Sequence, residues 1–328
     1  MYNSGMKDFD LVAIGDLATD AFIRLEDAAA HCHLDKGHLE LCVGFGDKIP
    51  YEFMKEVCAV GNSPNASVCA SRLGLKTALV SDIGKDENGQ KALSSLLAEG
   101  VDASFIREHD GKNTNYHYVL WFEDDRTILV KHEQYDYVLP DFGEPKWVYL
   151  SSIGRGTEKY HEEISAYLEK HPAIRVAFQP GTFQIKLGAR KLKKIYERAE
   201  ILALNKKEAQ WVLESKENGE EKLLRGLREL GPKGVLMTDG KNGAYFYDGK
   251  DILFAPPYPD SKPAYERTGA GDSYTATFVS AIHLGKTPKE AMLWASINAM
   301  SVVQKIGAQE GLLKREEIEK TVLRQAGN

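Results

Sequence analysis

The sequence predicts an α/β fold in which a mostly parallel central sheet carries helices on both faces. In the central part of the chain, short apolar runs alternate with longer helix-compatible segments, at residues 147–151, 158–169, 174–178, 186–198 and 201–204. Such alternation is typical of a parallel sheet covered on both sides. The chain has 328 residues, 43% of them hydrophobic, which is enough to bury a large core.

Charge and composition narrow the class of partner. The net charge of -6 and the isoelectric point near 5.9 give no support for nucleic-acid binding, so a small molecule is the expected partner. The first ten residues lack the apolar core of a signal peptide, and no later run has the length of a membrane helix. The four cysteines include no C-x-x-C pair. We therefore expect a cytoplasmic protein with reduced thiols and no membrane contact.

The first predicted strand is the apolar run at residues 11–14, which Gly15 closes. Asp16 and Asp20 follow it, at the carboxyl end of the strand, where open α/β sheets place their ligands. A carboxylate can accept two hydrogen bonds from a polyol, so both residues are candidates for binding substrate. A solvated turn explains the same residues.

Residues 21–60 form no clean βαβ unit. Strand-like pieces at 22–25, 39–43 and 44–50 are joined by polar turns, and a hairpin is predicted from 115–122 and 126–132. A group of histidines and cysteines between positions 31 and 42 fits no standard zinc spacing, so a surface segment is expected there.

Gly61 and Asn65 precede a segment compatible with a packed helix. Gly61 allows the backbone to approach a ligand closely, and the Asn65 amide can both donate and accept hydrogen bonds. Further along, a strand at 77–81 and a helix at 88–99 complete the N-terminal part.

Three polar positions stand out in the second half of the chain. Asn205 directly follows a strand and precedes Glu208 by three residues, a spacing that by itself predicts a helix capping box. Thr238 and Gly240 directly precede a turn predicted at residues 241–243 between two strands. Asn298 is an unusual polar residue within the apolar run 291–303, which predicts a buried helix.

The segment at 268–278 combines small residues with the start of a helix expected to end at Gly285. Gly269, Ala270 and Gly271 let the backbone approach a ligand, and the first N–H groups of the helix have no partner inside it, which makes an anion site. Asp272 is a carboxylate at this anion site. It either caps the helix or takes a proton from an incoming hydroxyl, and the local residues leave both interpretations open.

Residues 267–278 (RTGAGDSYTATF) closely resemble the C-terminal signature of the ribokinase-like (PfkB) carbohydrate and nucleoside kinases. An N-terminal counterpart appears at residues 61–66 (GNSPNA), although Val60 replaces the first glycine of the usual pair. The resemblance implies a ribokinase-like three-layer α/β fold. It also implies one kinase domain over residues 1–328, with a small β-sheet lid from about 21–60 and 112–134.

The resemblance also implies roles for individual residues. Asp272 would be the catalytic base, and the N–H groups of residues 269–271 would stabilise the transferred phosphoryl group. The remaining assignments are Asp20, Gly61 and Asn65 for the acceptor, Asn205, Thr238, Gly240 and Asn298 for the nucleotide, and Glu208 for the metal.

The implied cofactors are ATP and Mg²⁺, with a monovalent cation such as K⁺ as a further expectation, and the implied assembly is a homodimer through the lid. The expected acceptor is a hydroxyl of a small sugar. A nucleoside is the alternative, because Ala18, Gln179 and the lid aromatics depart from common sugar-kinase patterns. A nucleotide-binding regulator without turnover is a third hypothesis, although Asp272 argues against it. A Rossmann oxidoreductase is disfavoured, since no G-x-G-x-x-G follows the first strand.

Overall fold

The structure is a computed structural model that describes residues 8–26, 29–33, 38–122, 125–259 and 262–326. Its strands are β1 Leu11–Ile14, β2 Ala18–Leu25, β3 Ala29–His33, β4 His38–Cys42, β5 Tyr51–Val60, β6 Thr77–Gly84, β7 Val101–Asp102, β8 Ile106–His109, β9 Asn115–Phe122, β10 Asp125–Leu129, β11 Trp147–Leu150, β12 Arg175–Phe178, β13 Ile201–Asn205, β14 Gly234–Thr238, β15 Ala244–Tyr247 and β16 Ile252–Ala255.

Helices connect most of the strands of the main sheet. They are α1 Asn62–Arg72, α2 Glu87–Ala98, α3 Glu158–Lys170, α4 Thr182–Leu187, α5 Lys193–Arg198, α6 Lys206–Val212, α7 Glu220–Glu229, α8 Ala270–His283, α9 Pro288–Val302 and α10 Arg315–Ala326. Within the described ranges, no helix is both long enough and apolar enough to cross a bilayer.

A ten-stranded central sheet has the order β16-β15-β14-β13-β12-β11-β1-β6-β7, with β8 also paired to β6. Its pairs from β14 through β1 to β7 are parallel, and only the edge pairs β14–β15 and β15–β16 are antiparallel. The predicted mostly parallel sheet is therefore confirmed.

The two faces of this sheet bury two separate cores. In β1, Leu11 and Ala13 face one core and Val12 and Ile14 face the other, as the two-residue period of a strand requires. Residues of α1, α2, α8 and α9 fill the first core, and residues of α3, α5 and α7 fill the second. The three-layer arrangement expected from the sequence is thus confirmed.

A separate four-stranded sheet, which we call the lid sheet, has the order β10-β9-β2-β5. β2 pairs with β9 in parallel and with β5 in antiparallel fashion, and β9 and β10 form the predicted hairpin. β3 and β4 form a two-stranded hairpin beyond it. The side chains of residues 27–40, which include the histidines considered for zinc, lie outside the described part of the chain.

Two predicted elements differ from the structure. Residues 44–50 lead into the strand β5, which the sequence analysis missed because polar and apolar residues are mixed along it. The helix predicted at 186–198 is instead two short helices, α4 and α5. Gly188 separates them because it has a φ of +92° and its N–H ends α4 on the carbonyl groups of Gln184 and Ile185.

Candidate active site

Asp272 lies in the first turn of α8, where the glycine-rich loop enters the helix. Gly269 is the N-cap residue, with a φ of +80°, and Asp272 is the third residue of the helix. The carboxylate of Asp272 bonds to side chains of other elements, described below, and among the described residues no side-chain hydrogen bond caps α8.

The loop before α8 is tight on one side and open on the other. A Cβ atom at Gly269 would lie 2.2 Å from Cβ of Ala308, so glycine is required there by both contact and φ. A Cβ atom at Gly271 would meet no atom of the described chain within 4 Å. The start of α8 therefore has free space beside Gly271, at the kind of helix N-terminus that favours an anion.

Three side-chain amides hold the carboxylate of Asp272. Asn62 donates to Oδ1 at 2.8 Å, Gln179 donates to Oδ1 at 3.0 Å, and Asn65 donates to Oδ2 at 2.8 Å. Asn62 and Asn65 come from the first turn of α1, and Gln179 follows β12 directly. The amides fix the carboxylate in one orientation because each supplies an N–H to it.

A further layer of hydrogen bonds orients two of these amides. Gln309 donates to Oδ1 of Asn65 at 3.0 Å and to the carbonyl of Ala59 at 2.7 Å. The hydroxyl of Tyr149 donates to Oε1 of Gln179. With their carbonyl oxygens occupied in this way, the Asn65 and Gln179 amides present their N–H groups to Asp272.

Opposing effects act on the pKa of Asp272. Burial raises it above the ordinary value of 3.8, while the hydrogen bonds from Asn65, Gln179 and Asn62 and the charge of Arg126 lower it, and the net direction is upward. Asp272 is therefore a better proton acceptor than an exposed aspartate.

Asp16 and Asp20 both lie nearly buried at the end of β1 and in β2. Oδ1 of Asp16 accepts from the Tyr137 hydroxyl at 2.8 Å, and Oδ2 accepts from Gly154 N at 2.7 Å. Oδ1 of Asp20 lies 3.2 Å from Nδ1 of His117. Protein groups thus donate to both carboxylate oxygens of Asp16. For Asp20, the contact among the described residues is to Oδ1.

Gly61 is the N-cap of α1 and has a φ of +124°. A Cβ atom there would lie 2.6 Å from the backbone oxygen of Asp16. Gly61 is therefore required for close packing against Asp16, and its predicted approach to a ligand stays a prediction. Ala59 takes a second positive φ, +57°, just before Val60, the residue that stands in place of the usual glycine.

Three predicted nucleotide residues share a cavity of about 410 Å³ at the ends of β13 and β14. Asn205, Thr238 and Gly240 line it together with the basic residues Lys206, Lys207, Lys241 and Arg267, and Asp239 is the acidic residue among the described lining. A cavity with this excess of positive charge suits a polyphosphate.

Glu208 lies at the start of α6, next to this cavity. Its Oε2 accepts from Asn205 N at 2.9 Å, and its own N–H donates to Oδ1 of Asn205 at 2.9 Å. The capping box predicted from the spacing is confirmed. Burial, together with the charge of Asp272, raises the pKa of Glu208 to about 7.

The structure corrects the expectation for Asn298. Its side chain is fully buried, where Nδ2 donates to Thr277 Oγ1 at 2.8 Å and Oδ1 accepts from Leu313 N at 2.9 Å. Among the described residues it lies outside the lining of the cavity. A buried amide whose donor and acceptor are both satisfied stabilises the packing of α9 and has no surface for a nucleotide.

The family described as pfkB family carbohydrate kinase matches residues 56–315. The chain belongs to this family. The matched range includes Asn62, Asn65, Gln179 and Asp272, so the amide-held carboxylate lies within the family domain.

The names of two curated relatives imply different acceptors. The ribokinase of Bacillus subtilis is 26% identical over 266 residues, which cover 79% of this chain and 86% of the relative. A nucleoside kinase of Methanothermobacter thermautotrophicus is 26% identical over 312 residues, covering 93% of each chain. The structure of Arabidopsis thaliana ribokinase complexed with ribose and ATP aligns with a TM-score of 0.77 at 20% identity, covering 96% of this chain and 98% of that one. This alignment shows a shared ribokinase fold.

Sequence reasoning missed four side chains of the site. Asn62 had a detectable signal, because it precedes Asn65 by three residues and so shares its face of a helix. The sequence showed Gln179 only as a departure from common sugar-kinase patterns. His117 and Arg126 lie on lid strands, and their positions depend on strand pairing that the sequence does not reveal.

Proposed function

We propose that the protein is an ATP-dependent kinase that transfers the γ-phosphoryl group of ATP to a hydroxyl of a small sugar. The observation that carries this proposal is the carboxylate of Asp272, held by three amides at the open start of α8. A carboxylate beside an anion site has no benefit for binding alone, but it is what a hydroxyl acceptor needs at the moment of transfer.

In the proposed mechanism, Asp272 takes the proton of the acceptor hydroxyl as the oxygen attacks the phosphoryl group. Asn62, Asn65 and Gln179 keep its carboxylate aligned for that transfer. The N–H groups of Gly269, Ala270 and Gly271 stabilise the charge on the phosphoryl oxygens.

On the acceptor side, Asp20 binds a sugar hydroxyl through the oxygen that His117 does not contact. Because both oxygens of Asp16 are engaged, Asp16 acts by holding Tyr137 and the backbone of Gly154. Gly61 sets the backbone beside Asp16, and Asn65 acts on the acceptor through Asp272.

On the donor side, Thr238 and Gly240 contact ATP in the basic cavity, with Asn205 at its edge. Glu208 would hold Mg²⁺, directly or through water, and the metal would neutralise phosphate charge. K⁺ dependence remains a prediction from the family resemblance.

A nucleoside is the second candidate acceptor. The nucleoside kinase relative aligns over more of this chain than the ribokinase relative does. The ring of Phe183 also packs edge-on against His132, 5.3 Å between centroids, close to Asp16. Aromatic side chains of this kind can stack on a base.

The test is ADP release from Mg-ATP with pentoses, hexoses, sugar phosphates and nucleosides, each offered separately. Release that depends on a sugar supports the first proposal, and release confined to nucleosides supports the second. Tight ATP binding with no acceptor-dependent release would contradict both and favour the regulator without turnover.

We also propose a cytoplasmic homodimer of one-domain chains, paired through the outer face of the lid sheet. On that face Met54, Tyr118 and Leu129 are each about half exposed. Light scattering of the double variant Met54→Glu/Tyr118→Glu tests the dimer, which should become a monomer. A wild-type monomer at all concentrations would contradict it.

A further inference from the structure

The lid sheet contacts the loop before α8 through two side chains on its inner face. Trp121 packs edge-on against Tyr265, with 5.0 Å between ring centroids, and Nε of Arg126 lies 4.0 Å from Oε1 of Glu266. Trp121 and Arg126 are directly opposite each other in the β9–β10 pair, so they project from the same face.

Glu266 is a fully buried carboxylate that organises the loop. Its Oε1 accepts from Thr268 N at 2.8 Å and Thr268 Oγ1 at 2.7 Å, and its Oε2 accepts from Gly307 N at 3.3 Å. It therefore fixes the residue before Gly269 and the segment against which Gly269 packs. A buried carboxylate is costly unless charge and hydrogen bonds compensate it, and Arg126 brings positive charge from the lid sheet.

The charge of Arg126 also lowers the pKa of Asp272. Among the described residues, the charge of Asp272 also acts on Glu208 of α6, Tyr149 of β11 and Cys69 of α1. All three are disfavoured in their ionised forms by the charge of Asp272, whereas Arg126 favours the ionised form of Asp272.

We propose that Arg126 is a positioning residue for phosphoryl transfer, which links the lid sheet to Glu266 and so holds the 269–271 loop in place beside Asp272. This inference rests on the proposed kinase function. If so, binding of an acceptor is not sufficient for transfer. The lid sheet must also contact the loop before α8, so that Asp272 is placed to take the proton.

The variants that test it are Arg126→Gln, which removes the charge, and Arg126→Lys, which keeps it. The control is Lys55→Gln, because Lys55 of β5 makes a different ion pair between the lid sheet and the body, with Glu310. We expect Arg126→Gln to lower kcat by about 10²-fold, as misplacement of a group remote from the chemistry can do.

The pH profile separates the proposed role from a structural one. Loss of the Arg126 charge raises the pKa of Asp272 further. In a plot of kcat against pH, the acidic limb should therefore move to higher pH in Arg126→Gln. Arg126→Lys and Lys55→Gln should keep the wild-type limb. A wild-type limb in Arg126→Gln overturns the proposal, whatever the change in kcat.

A second readout does not require turnover. Amide hydrogen exchange at residues 265–271 should be faster in Arg126→Gln than in the wild type or in Lys55→Gln, because Glu266 loses its charge partner. Equal exchange in all three proteins would overturn the proposed link. Absence of ADP release from the wild type with every acceptor contradicts the kinase proposal instead.

Discussion

The side-chain amide of Gln179 donates to Oδ1 of Asp272 across 3.0 Å, which joins the end of β12 to the first turn of α8. Gln179→Leu removes this donor while keeping much of the volume. Loss of a hydrogen bond to a charged group should lower kcat by about tenfold to a hundredfold at neutral pH. The acidic limb of kcat should also move to higher pH, because this bond lowers the pKa of Asp272.

Steady-state kinetics from pH 5 to 9 measure both effects. Gln90→Leu is the control, since Gln90 bonds to Glu108 on the surface and should leave both quantities unchanged. Wild-type kinetics in Gln179→Leu would mean that the amide does not orient the base.

Asp272→Asn keeps the size of the side chain and removes the base. Turnover should fall by roughly 10²–10⁴-fold, the usual contribution of general-base catalysis, while ATP still binds. Calorimetry measures ATP binding and ADP release measures turnover, with the exposed Asp110→Asn as a control. Near-normal turnover in Asp272→Asn would remove Asp272 from the mechanism.

Glu208→Gln separates the capping role of Glu208 from a metal role. Glutamine at this position can still complete the capping box with Asn205, so α6 should remain folded. If Glu208 holds Mg²⁺, the Mg²⁺ concentration for half-maximal activity should rise severalfold, which a titration of activity with Mg²⁺ measures. An unchanged Mg²⁺ requirement would leave Glu208 with its capping role alone.

The same variant tests the raised pKa of Glu208. The pKa is 4.5 for the ordinary group and about 7 in the folded protein, so the fold binds this proton more tightly than the unfolded chain does. Ionisation of Glu208 therefore lowers the free energy of unfolding as pH rises through this interval. Urea unfolding at pH 5 and pH 8 should show Glu208→Gln gaining stability relative to the wild type at the higher pH. An unchanged difference between the two proteins would argue against the shift.

Gly269→Ala and Gly271→Ala form a matched pair. Alanine at 269 would collide with Ala308 and adopt a positive φ, so the free energy of unfolding should fall by about 1–3 kcal/mol. Alanine at 271 meets no described atom within 4 Å, so stability should hold while turnover drops, because the methyl group enters the proposed phosphoryl site. Thermal unfolding and ADP release together check the pair, and full activity in Gly271→Ala would place the phosphoryl group elsewhere.

Asn298→Leu tests the corrected role of Asn298. Loss of the amide leaves Thr277 and the Leu313 N–H without these partners in the core, so the free energy of unfolding should fall by about 1–3 kcal/mol. The KM for ATP should not change. A raised KM with unchanged stability would restore the nucleotide role.

The parts of the fold that the sequence predicts are those with local signals. The apolar strand β1 and the helix α8 with its glycine loop follow from periodicity and from residues with special backbone conformations. β5 was missed because its residues alternate only weakly, with partly exposed positions on both faces. Gly188 is a possible helix end in the sequence, but the polar residues on both sides of it are compatible with a helix. The end of α4 at Leu187 was therefore missed.

The site is less predictable, because it depends on residues far apart in the chain. Residue type and position made Asp272 and Asp20 candidates, whereas Glu208 was assigned to the metal only through the family resemblance. The contact of Asp20 with His117 could not, since it depends on which residues of β2 and β9 are opposite each other in a parallel pair. The burial of Asn298 likewise follows from how α9 packs and not from its own residues.

Only three residues separate β1 of the central sheet from β2 of the lid sheet. Asp272 belongs to the body built on the central sheet, and Asp20 belongs to the lid sheet, so the proposed acceptor pocket is divided between two parts of the molecule. A ligand bonded to both carboxylates would act as a crosslink across this short connection. Part of the binding free energy would then restrain the motion of the lid sheet relative to the body. An acceptor too small to reach both carboxylates would be a poor substrate even if it fitted the acceptor pocket.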